Sequence, residues 1–356
     1  MPYAFDPRLP YATTIPSQYY TEGHFLDEEN RTVFGRTWQL AGHAGQVREK
    51  GSYFTAVVGG EPLLIVRGND HVLRAMSNVC RHRAGPVAKG SGKKPVLQCG
   101  YHGWTYTIEG KLHATPELEG IECFDRADFS LPAFQIDEWQ GLLFVNLDPD
   151  ATPLRDFLGE LVSDMPENDY DSFRLAARKE WELECNWKVY VDNYLEGYHI
   201  PIVHPGLFRE LDYPNYRTET KRNYSIQFAP TRRPERIRTT GADDQVRYFW
   251  LYPNLMLNVY PDNFSTNLIL PLGPRRTLTV FEWYFRDPET AATNNALADT
   301  IAFSDEIQLE DIEICEAVQR GLASRTYESG RYSPARENGV HHFHGLYARD
   351  MGLIAG

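Results

Sequence analysis

Short apolar runs, cut by glycine- and aspartate-rich breaks, fill the first part of the chain. Segments 52–58, 62–67 and 141–147 are rich in β-branched and aromatic residues, and Gly59-Gly60 and Gly68-Asn69-Asp70 punctuate them. Runs of this length with such breaks predict strands joined by tight turns. Ahead of them, residues 17–40 carry a short helical pattern that includes 28–34. A polar, proline-bearing link follows at 148–153, and beyond it helix and strand patterns alternate. Segments 249–252, 255–260, 265–270 and 277–285 predict strands of an antiparallel sheet, and 296–321 predicts one long amphipathic helix. The predicted fold class is α+β. A lead-in over 1–37 packs on the last domain, a small antiparallel β domain spans 38–150, and a larger domain spans 151–356.

Composition agrees with two domains. The chain has 356 residues, and a hydrophobic content of 42% supports real cores. A net charge of −13 makes nucleic acid and anionic membrane surfaces poor partners. There is no twenty-residue apolar run and no charged-then-apolar leader, so neither a membrane span nor a secretory signal is expected. Five cysteines over this length are no disulfide framework, and a reducing cytoplasm is the expected location.

Four residues carry the first chemistry. Cys80 and His82 stand in C-R-H; after sixteen intervening residues Cys99 and His102 stand in C-G-Y-H. Two thiolates for one iron and two imidazoles for the other are what a Rieske [2Fe–2S] centre requires. Structural zinc accepts the same donors, but zinc fingers pair like ligands within each knuckle, whereas here each loop offers one Cys and one His. Gly85, Pro86, Gly100 and Gly103 supply the turns that bring backbone N–H groups toward sulfur. The remaining Cys123, Cys185 and Cys315 are expected to be buried free thiols.

About a hundred residues later, 186–205 reads N-W-K-V-Y-V-D-N-Y-L-E-G-Y-H-I-P-I-V-H-P. Glu196 and His199 are three apart and on a helix would share a face. His199 and His204 are five apart and would diverge on an ideal helix. Pro201 has no N–H to give to Gly197, so it is expected to end or distort the helix and let His204 turn back. A carboxylate from Leu309-Glu310-Asp311-Ile312-Glu313 could complete the set. Two histidines and one carboxylate with open positions form the facial triad of non-haem Fe(II) oxygenases.

With both motifs in this order and at this separation, the chain resembles the α subunit of the Rieske non-haem iron oxygenases, also called ring-hydroxylating oxygenases. The resemblance runs over nearly the whole chain. It implies a mononuclear Fe(II) held by His199, His204 and Asp311, the last placed by the stretch E-D-I-E-I-C-E-A-V-Q-R-G. It also implies a helix-grip catalytic domain, with an antiparallel sheet around a long C-terminal helix. In this family the residue three before the first histidine bridges the two metal centres, with a cluster histidine, here His102, facing it. That residue is Asp in many members and Glu196 here. A Glu bridge is similar to the subgroup acting on small quaternary amines such as glycine betaine, carnitine and stachydrine. The run 327–334 and His341-His342-Phe343-His344 also resemble that subgroup. Asp192 and Asn193 precede the bridge and read either as setting its geometry or as a helix surface or cap.

The function implied is a terminal oxygenase component that uses O2 to hydroxylate a C–H bond of a small organic substrate. The leading reading is N-demethylation of a betaine-type quaternary ammonium compound. An aromatic-acid hydroxylase or O-demethylase would use the same metals and would meet its carboxylate with Arg or Lys. A pure electron-transfer protein would leave Glu196, His199, His204 and Asp311 without a task. The chain has no G-x-G-x-x-G opening a helix after a strand and no plant-type ferredoxin run. Electrons are therefore expected from a separate NAD(P)H-dependent flavin and iron–sulfur reductase, with or without a ferredoxin. The metals of one family subunit lie too far apart for fast transfer, which implies a homotrimer. Tyr248, Trp250, Tyr260 and Phe264 are candidates to line the pocket, where aromatic faces would bind a cation. His341, His342 and His344 read as surface or packing residues, the triad being already supplied.

Overall fold

The computed structural model describes residues 3–232, 245–260 and 263–354. They form two units: one spans 34–154, and the other joins the N-terminal segment through Val33 to the chain from Arg155 onward.

In the first unit, a seven-stranded antiparallel sheet runs in the order Gln39–His43, Leu142–Asn146, Ala133–Trp139, Leu73–Ser77, Glu61–Arg67, Ser52–Val58, Ser91–Lys93. A three-stranded sheet, Val96–Gln98, Thr105–Thr107 and Leu112–Ala114, accompanies it. The continuous apolar text at Leu63–Val66 has a direct cause. Leu63 and Ile65 enter one core with Phe54, Leu143 and Val145, while Leu64 and Val66 enter a second with Met76, Leu97 and Tyr106. A strand buried on both faces cannot alternate apolar with polar. The second core contains Cys80 and Cys99, so the thiols are anchored in packed interior.

The second unit holds another seven-stranded antiparallel sheet, in the order Arg174–Leu183, Arg276–Phe285, Asn263–Gly273, Leu255–Val259, Gln245–Leu251, Tyr224–Pro230, Arg217–Thr220. Four of its neighbouring strands are those predicted from the sequence; Arg174–Leu183, Tyr224–Pro230 and Arg217–Thr220 were not anticipated, the first because half of its side chains are exposed and its apolar residues are interleaved with charged ones. The long helix is Ala296–Leu322, and the helix Asn338–Asp350 follows it. The buried face of the long helix is polar: Gln308, Asp311, Cys315 and Gln319, at three- and four-residue steps, point inward. Gln319 Oε1 accepts from the Asn186 N–H at 2.7 Å and its Nε2 donates to Tyr20 O at 3.3 Å.

Three sequence expectations need correction. Cys123 is exposed, while Cys185 and Cys315 are buried thiols; residues 121–123 are exposed loop, with no core to receive a side chain. The helix Trp187–Tyr194 ends before Glu196, so Glu196 and His199 do not share a helical face. Pro201 distorts nothing: it sits in the first turn of a new short helix, Ile200–Val203, where a missing N–H costs no hydrogen bond. Among the described residues no helix is long and apolar enough to cross a membrane.

A buried ion pair ties three segments of this unit. Lys188 Nζ donates to Glu29 Oε1, whose carboxylate also accepts from Trp187 Nε1 at 2.7 Å and Tyr347 OH at 2.8 Å. Both side chains are almost fully buried, 0% and 1% exposed. Burial lowers the Lys188 pKa against the opposing pull of Glu29. Substituting Glu29→Leu strands a buried ammonium and should cost about 3–5 kcal/mol of stability. The double variant Glu29→Leu/Lys188→Met should recover most of it, read as denaturation midpoints of the two variants against wild type.

Candidate metal centres

The first centre sits on two loops of the 34–154 unit. Cys80 N–H donates to Gly85 O at 2.8 Å and Ala84 N–H to Cys80 O at 3.0 Å, which closes one loop. Cys99 N–H donates to Trp104 O at 2.9 Å and Gly103 N–H to Cys99 O at 3.2 Å, which closes the other between two paired strands. Gly103 has φ +74, a left-handed conformation that favours glycine. The loops meet closely: a Cβ on Gly85 would lie 3.0 Å from Cys99 Sγ. Both thiols are buried at 3% exposure, whereas His82 and His102 are exposed. The imidazoles stand edge to face at 4.7 Å, and His82 stacks on Trp104 at 4.9 Å. Cys80 Sγ lies 3.3 Å from Tyr106 OH. Partial desolvation, then the neighbouring His82 and Arg83, lower the His102 pKa and favour the neutral form that binds metal. One buried pair of soft donors and one outward pair of imidazoles fit a [2Fe–2S] cluster with unlike irons.

The second centre lies in the other unit. His199 begins the short helix Ile200–Val203, His204 separates it from Pro205–Glu210, and Asp311 comes from the long helix. Each offers one donor atom, and the three atoms lie within 4.8 Å of one another. His204 Nε2 is 3.0 Å and His199 Nε2 3.9 Å from Asp311 Oδ1. The His204 side chain is 2% exposed. Burial alone would lower its pKa, but Asp311 and Glu310 overcome that and raise it.

The sequence left Glu310 and Glu313 as neighbours that could be confused with Asp311. Glu313 is exposed on the long helix. Glu310 instead pairs with the far side of a ligand: its Oε2 lies 2.6 Å from His204 Nδ1. Glu196 does the same for the other imidazole, with Oε1 2.6 Å from His199 Nδ1. Its Oε2 accepts from the N–H groups of Tyr198 and His199. Each imidazole thus has one nitrogen held by a carboxylate and Nε2 left toward Asp311, a carboxylate–histidine arrangement typical of metal sites. Asn193 Nδ2 donates to Asp311 Oδ1 at 2.6 Å. Asp192 points elsewhere: its oxygens accept from Tyr20 OH at 2.7 Å and pair with His344 Nε2 at 2.9 Å. His344, 1% exposed, also meets Tyr332 OH at 2.6 Å. His341 stacks on Phe5 at 4.7 Å, and burial lowers the pKa of His342 to about 4. The two-histidine, one-carboxylate donor set, with positions left for other ligands, fits Fe(II).

A cavity of about 150 Å³ opens beside these donors. Its sheet side is set by register: Gln227, Tyr248, Asn258, Ser265 and Trp283 follow one another across five neighbouring strands, and all five line it. Tyr194, Tyr216, Tyr260, Phe281 and Phe303 add aromatic faces. No Lys or Arg is among the described lining residues. Burial raises the pKa of Tyr194, Tyr216 and Tyr248, so the phenols are neutral donors. Tyr248 and Tyr260 line the cavity as expected, but Trp250 and Phe264 do not. Trp250 packs on Phe343 at 5.5 Å, and Phe264 stacks on Tyr284 at 4.7 Å, on the other side of the strand from Ser265. Phe281, Trp283 and Phe303 were missed; the two-residue period of Arg276–Phe285 puts Phe281 and Trp283 on one face, a signal available in the sequence.

Comparison with known proteins agrees with both centres. Residues 37–125 match the model of the Rieske [2Fe-2S] domain, and 170–353 match that of the ring hydroxylating alpha subunit (catalytic domain). The chain is 34% identical to the chloroplastic choline monooxygenase of Arabidopsis thaliana, over 98% of this chain and 86% of that protein. It is 33% identical to the carnitine monooxygenase oxygenase subunit of Escherichia coli (strain K12), over 95% and 94%. The solved structure of the quaternary ammonium Rieske monooxygenase CntA in complex with L-carnitine superposes with a TM-score of 0.85, at 31% identity and 97% coverage of both chains. Naphthalene 1,2-dioxygenase from Rhodococcus sp. shares the fold at a TM-score of 0.80 and 19% identity, over 95% of this chain and 94% of that one. The chain belongs to the α subunits of the Rieske-type ring-hydroxylating oxygenases.

Proposed function

We propose that this oxygenase acts on a small quaternary ammonium compound, with N-demethylation as the leading reaction. The observation that carries the reading is the cavity. Seven aromatic side chains, from Tyr194 to Phe303, face a space that also holds Glu196 and Asp311, with no cationic residue among the described lining. Aromatic faces attract a desolvated cation by roughly 0.5–2 kcal/mol per ring. The carboxylate of an aromatic acid would find no Arg or Lys partner there among the described residues. The relatives named for choline, carnitine and quaternary ammonium substrates point the same way.

His199, His204 and Asp311 would hold the mononuclear iron, and Cys80, His82, Cys99 and His102 the cluster. Bound there, the groups would supply O2 activation and one-electron delivery. Glu310 and Glu196 hold Nδ1 of each histidine, so Nε2 is the free donor. Asn193 fixes Asp311 Oδ1 against rotation. The aromatic wall excludes water and orients a trimethylammonium head near these donors. When a hydroxyl is placed on an N-methyl carbon, the C–N bond breaks to release formaldehyde and an amine. Glu196 stands in the path of electrons arriving from the cluster of a neighbouring subunit, which makes a homotrimer and a separate NAD(P)H-dependent reductase part of the proposal. The supporting observation is that Glu196 already contacts a proposed ligand, His199.

Protein purified without oxygen should contain about three iron and two acid-labile sulfides per chain and give a Rieske-type EPR signal when reduced. Substituting Glu310→Gln should keep the cluster signal and weaken Fe(II) binding about 10–100-fold, read by equilibrium dialysis. Substituting Glu196→Gln should leave both metals bound and slow single-turnover oxidation of the reduced cluster more than about tenfold; unchanged transfer rules out the bridge role. With a surrogate reductase, trimethylammonium compounds should stimulate O2 uptake and release formaldehyde or a hydroxylated product. If only aromatic acids do so, the quaternary ammonium reading is wrong.

A further inference from the structure

The helix Trp187–Tyr194 is held at its last turn from several sides. Asn193 Nδ2 donates to Asp311 Oδ1 at 2.6 Å. Tyr194 OH donates to Asn258 Oδ1 at 3.0 Å, and Tyr194 O accepts from Gln227 Nε2 at 2.6 Å. Asp192 reaches instead to Tyr20 OH at 2.7 Å and to His344 Nε2 at 2.9 Å. His344 is 1% exposed, and its Nδ1 lies 2.6 Å from Tyr332 OH. An ionised carboxylate can only accept, so Nε2 carries a hydrogen toward Asp192 and Nδ1 is left to Tyr332. Both ring nitrogens are therefore engaged within the protein.

The same C-terminal helix, Asn338–Asp350, meets the chain again just beyond Asp192. Gly339 in its first turn is buried, and a Cβ there would collide with Leu195 O. That oxygen is a main-chain atom and cannot swing aside as the end of a side chain can. Leu195 N–H donates to Val191 O at 3.1 Å and to Asp192 O at 3.3 Å, which closes the helix. The next residue is Glu196. Its Oε2 accepts from the N–H groups of its own loop, at Tyr198 and His199, so its place follows from where Leu195 stands.

We propose that Asp192, His344 and Gly339 are positioning residues for Glu196, through which the C-terminal helix sets where the electron bridge stands. The inference rests on the bridge role given to Glu196 above. His344 fixes the helical turn ahead of the bridge, through Asp192, and Gly339 fixes the carbonyl directly before it. The hydrogen bonds of Asp192 and His344 run to each other, Tyr20 and Tyr332 rather than to the proposed metal ligands. A bridge has to meet His199 on one side and a cluster histidine of a neighbouring copy on the other. It tolerates little displacement, since a misplacement of about 1 Å costs on the order of a hundredfold in rate.

The test follows single-turnover oxidation of the reduced cluster at saturating Fe(II), with whichever of choline, L-carnitine or benzoate drives O2 uptake in wild type. Asp192→Leu and His344→Phe should each slow it about tenfold or more, with both metals retained, and Gly339→Ala should slow it as well. Asp192→Asn, whose amide oxygen still accepts from His344, should match wild type. Amide hydrogen exchange over 195–199, read by mass spectrometry on the holoenzymes, should quicken in the slowed variants and not in Asp192→Asn. In the Glu196→Gln background, Asp192→Leu should add no further slowing, because both act through the same carboxylate. Losses that multiply in that background would overturn the proposal. So would unchanged transfer and exchange in folded Asp192→Leu and His344→Phe, or an Asp192→Asn variant as slow as Asp192→Leu. If Glu196→Gln by itself leaves transfer at the wild-type rate, the bridge reading fails and this inference fails with it.

Discussion

The contact between His204 and Asp311, 3.0 Å from Nε2 to Oδ1, is the constraint around which the second unit is arranged. It joins a short loop to a long helix over more than a hundred residues of sequence, so its closure entropy must be met elsewhere. The long helix meets it with an unusual interior face. Gln308, Asp311 and Gln319 turn inward where apolar residues would normally sit, and each is hydrogen-bonded to a neighbouring element. Polar groups buried this way add little net stability, but they define one axial position and one rotation of the helix, because any slip leaves amides unpaired.

The same economy of placement governs the carboxylates. Three acidic side chains, Glu196, Glu310 and Asp311, crowd two histidines. Like charges at this density repel unless cations or protons stand between them. Here the imidazoles stand between them, with a carboxylate on each Nδ1 and Asp311 facing both Nε2 atoms. The arrangement is therefore better suited to a bound dication than to the bare protein, and the raised His204 pKa is its electrostatic signature.

Much of this was legible in the chain itself, and the reasons differ by residue. The cysteines and histidines of both centres could be read because metal chemistry demands particular side chains at near-fixed spacing. Asp311 needed more, since three acids lie within four residues, and only the phase of the helix separates the inward one from Glu310 and Glu313. The task of Glu310 could not be read at all, because it depends on where His204 Nδ1 points. Pro201 was misread for a physical reason: proline is as much at home in a first turn as at a break, and the helix had already ended at Tyr194. The central strands announced themselves through apolar text; the polar edge strand Arg174–Leu183 did not.

Gly197 lies between Glu196 and the helix that starts at His199. A Cβ there would stand 2.7 Å from the ring of Tyr216, and Tyr216 is itself part of the cavity wall. The histidine loop and this stretch of wall are therefore in contact with no slack. Any change of bulk at Tyr216 is passed directly to the loop that aims His199. Adaptation to a larger or differently shaped substrate has little freedom on that side. It is left to the sheet side, where Phe281 and Trp283 face the same space from strands that carry no proposed metal ligand. In this molecule, substrate range and metal geometry can diverge in evolution only through one half of the pocket.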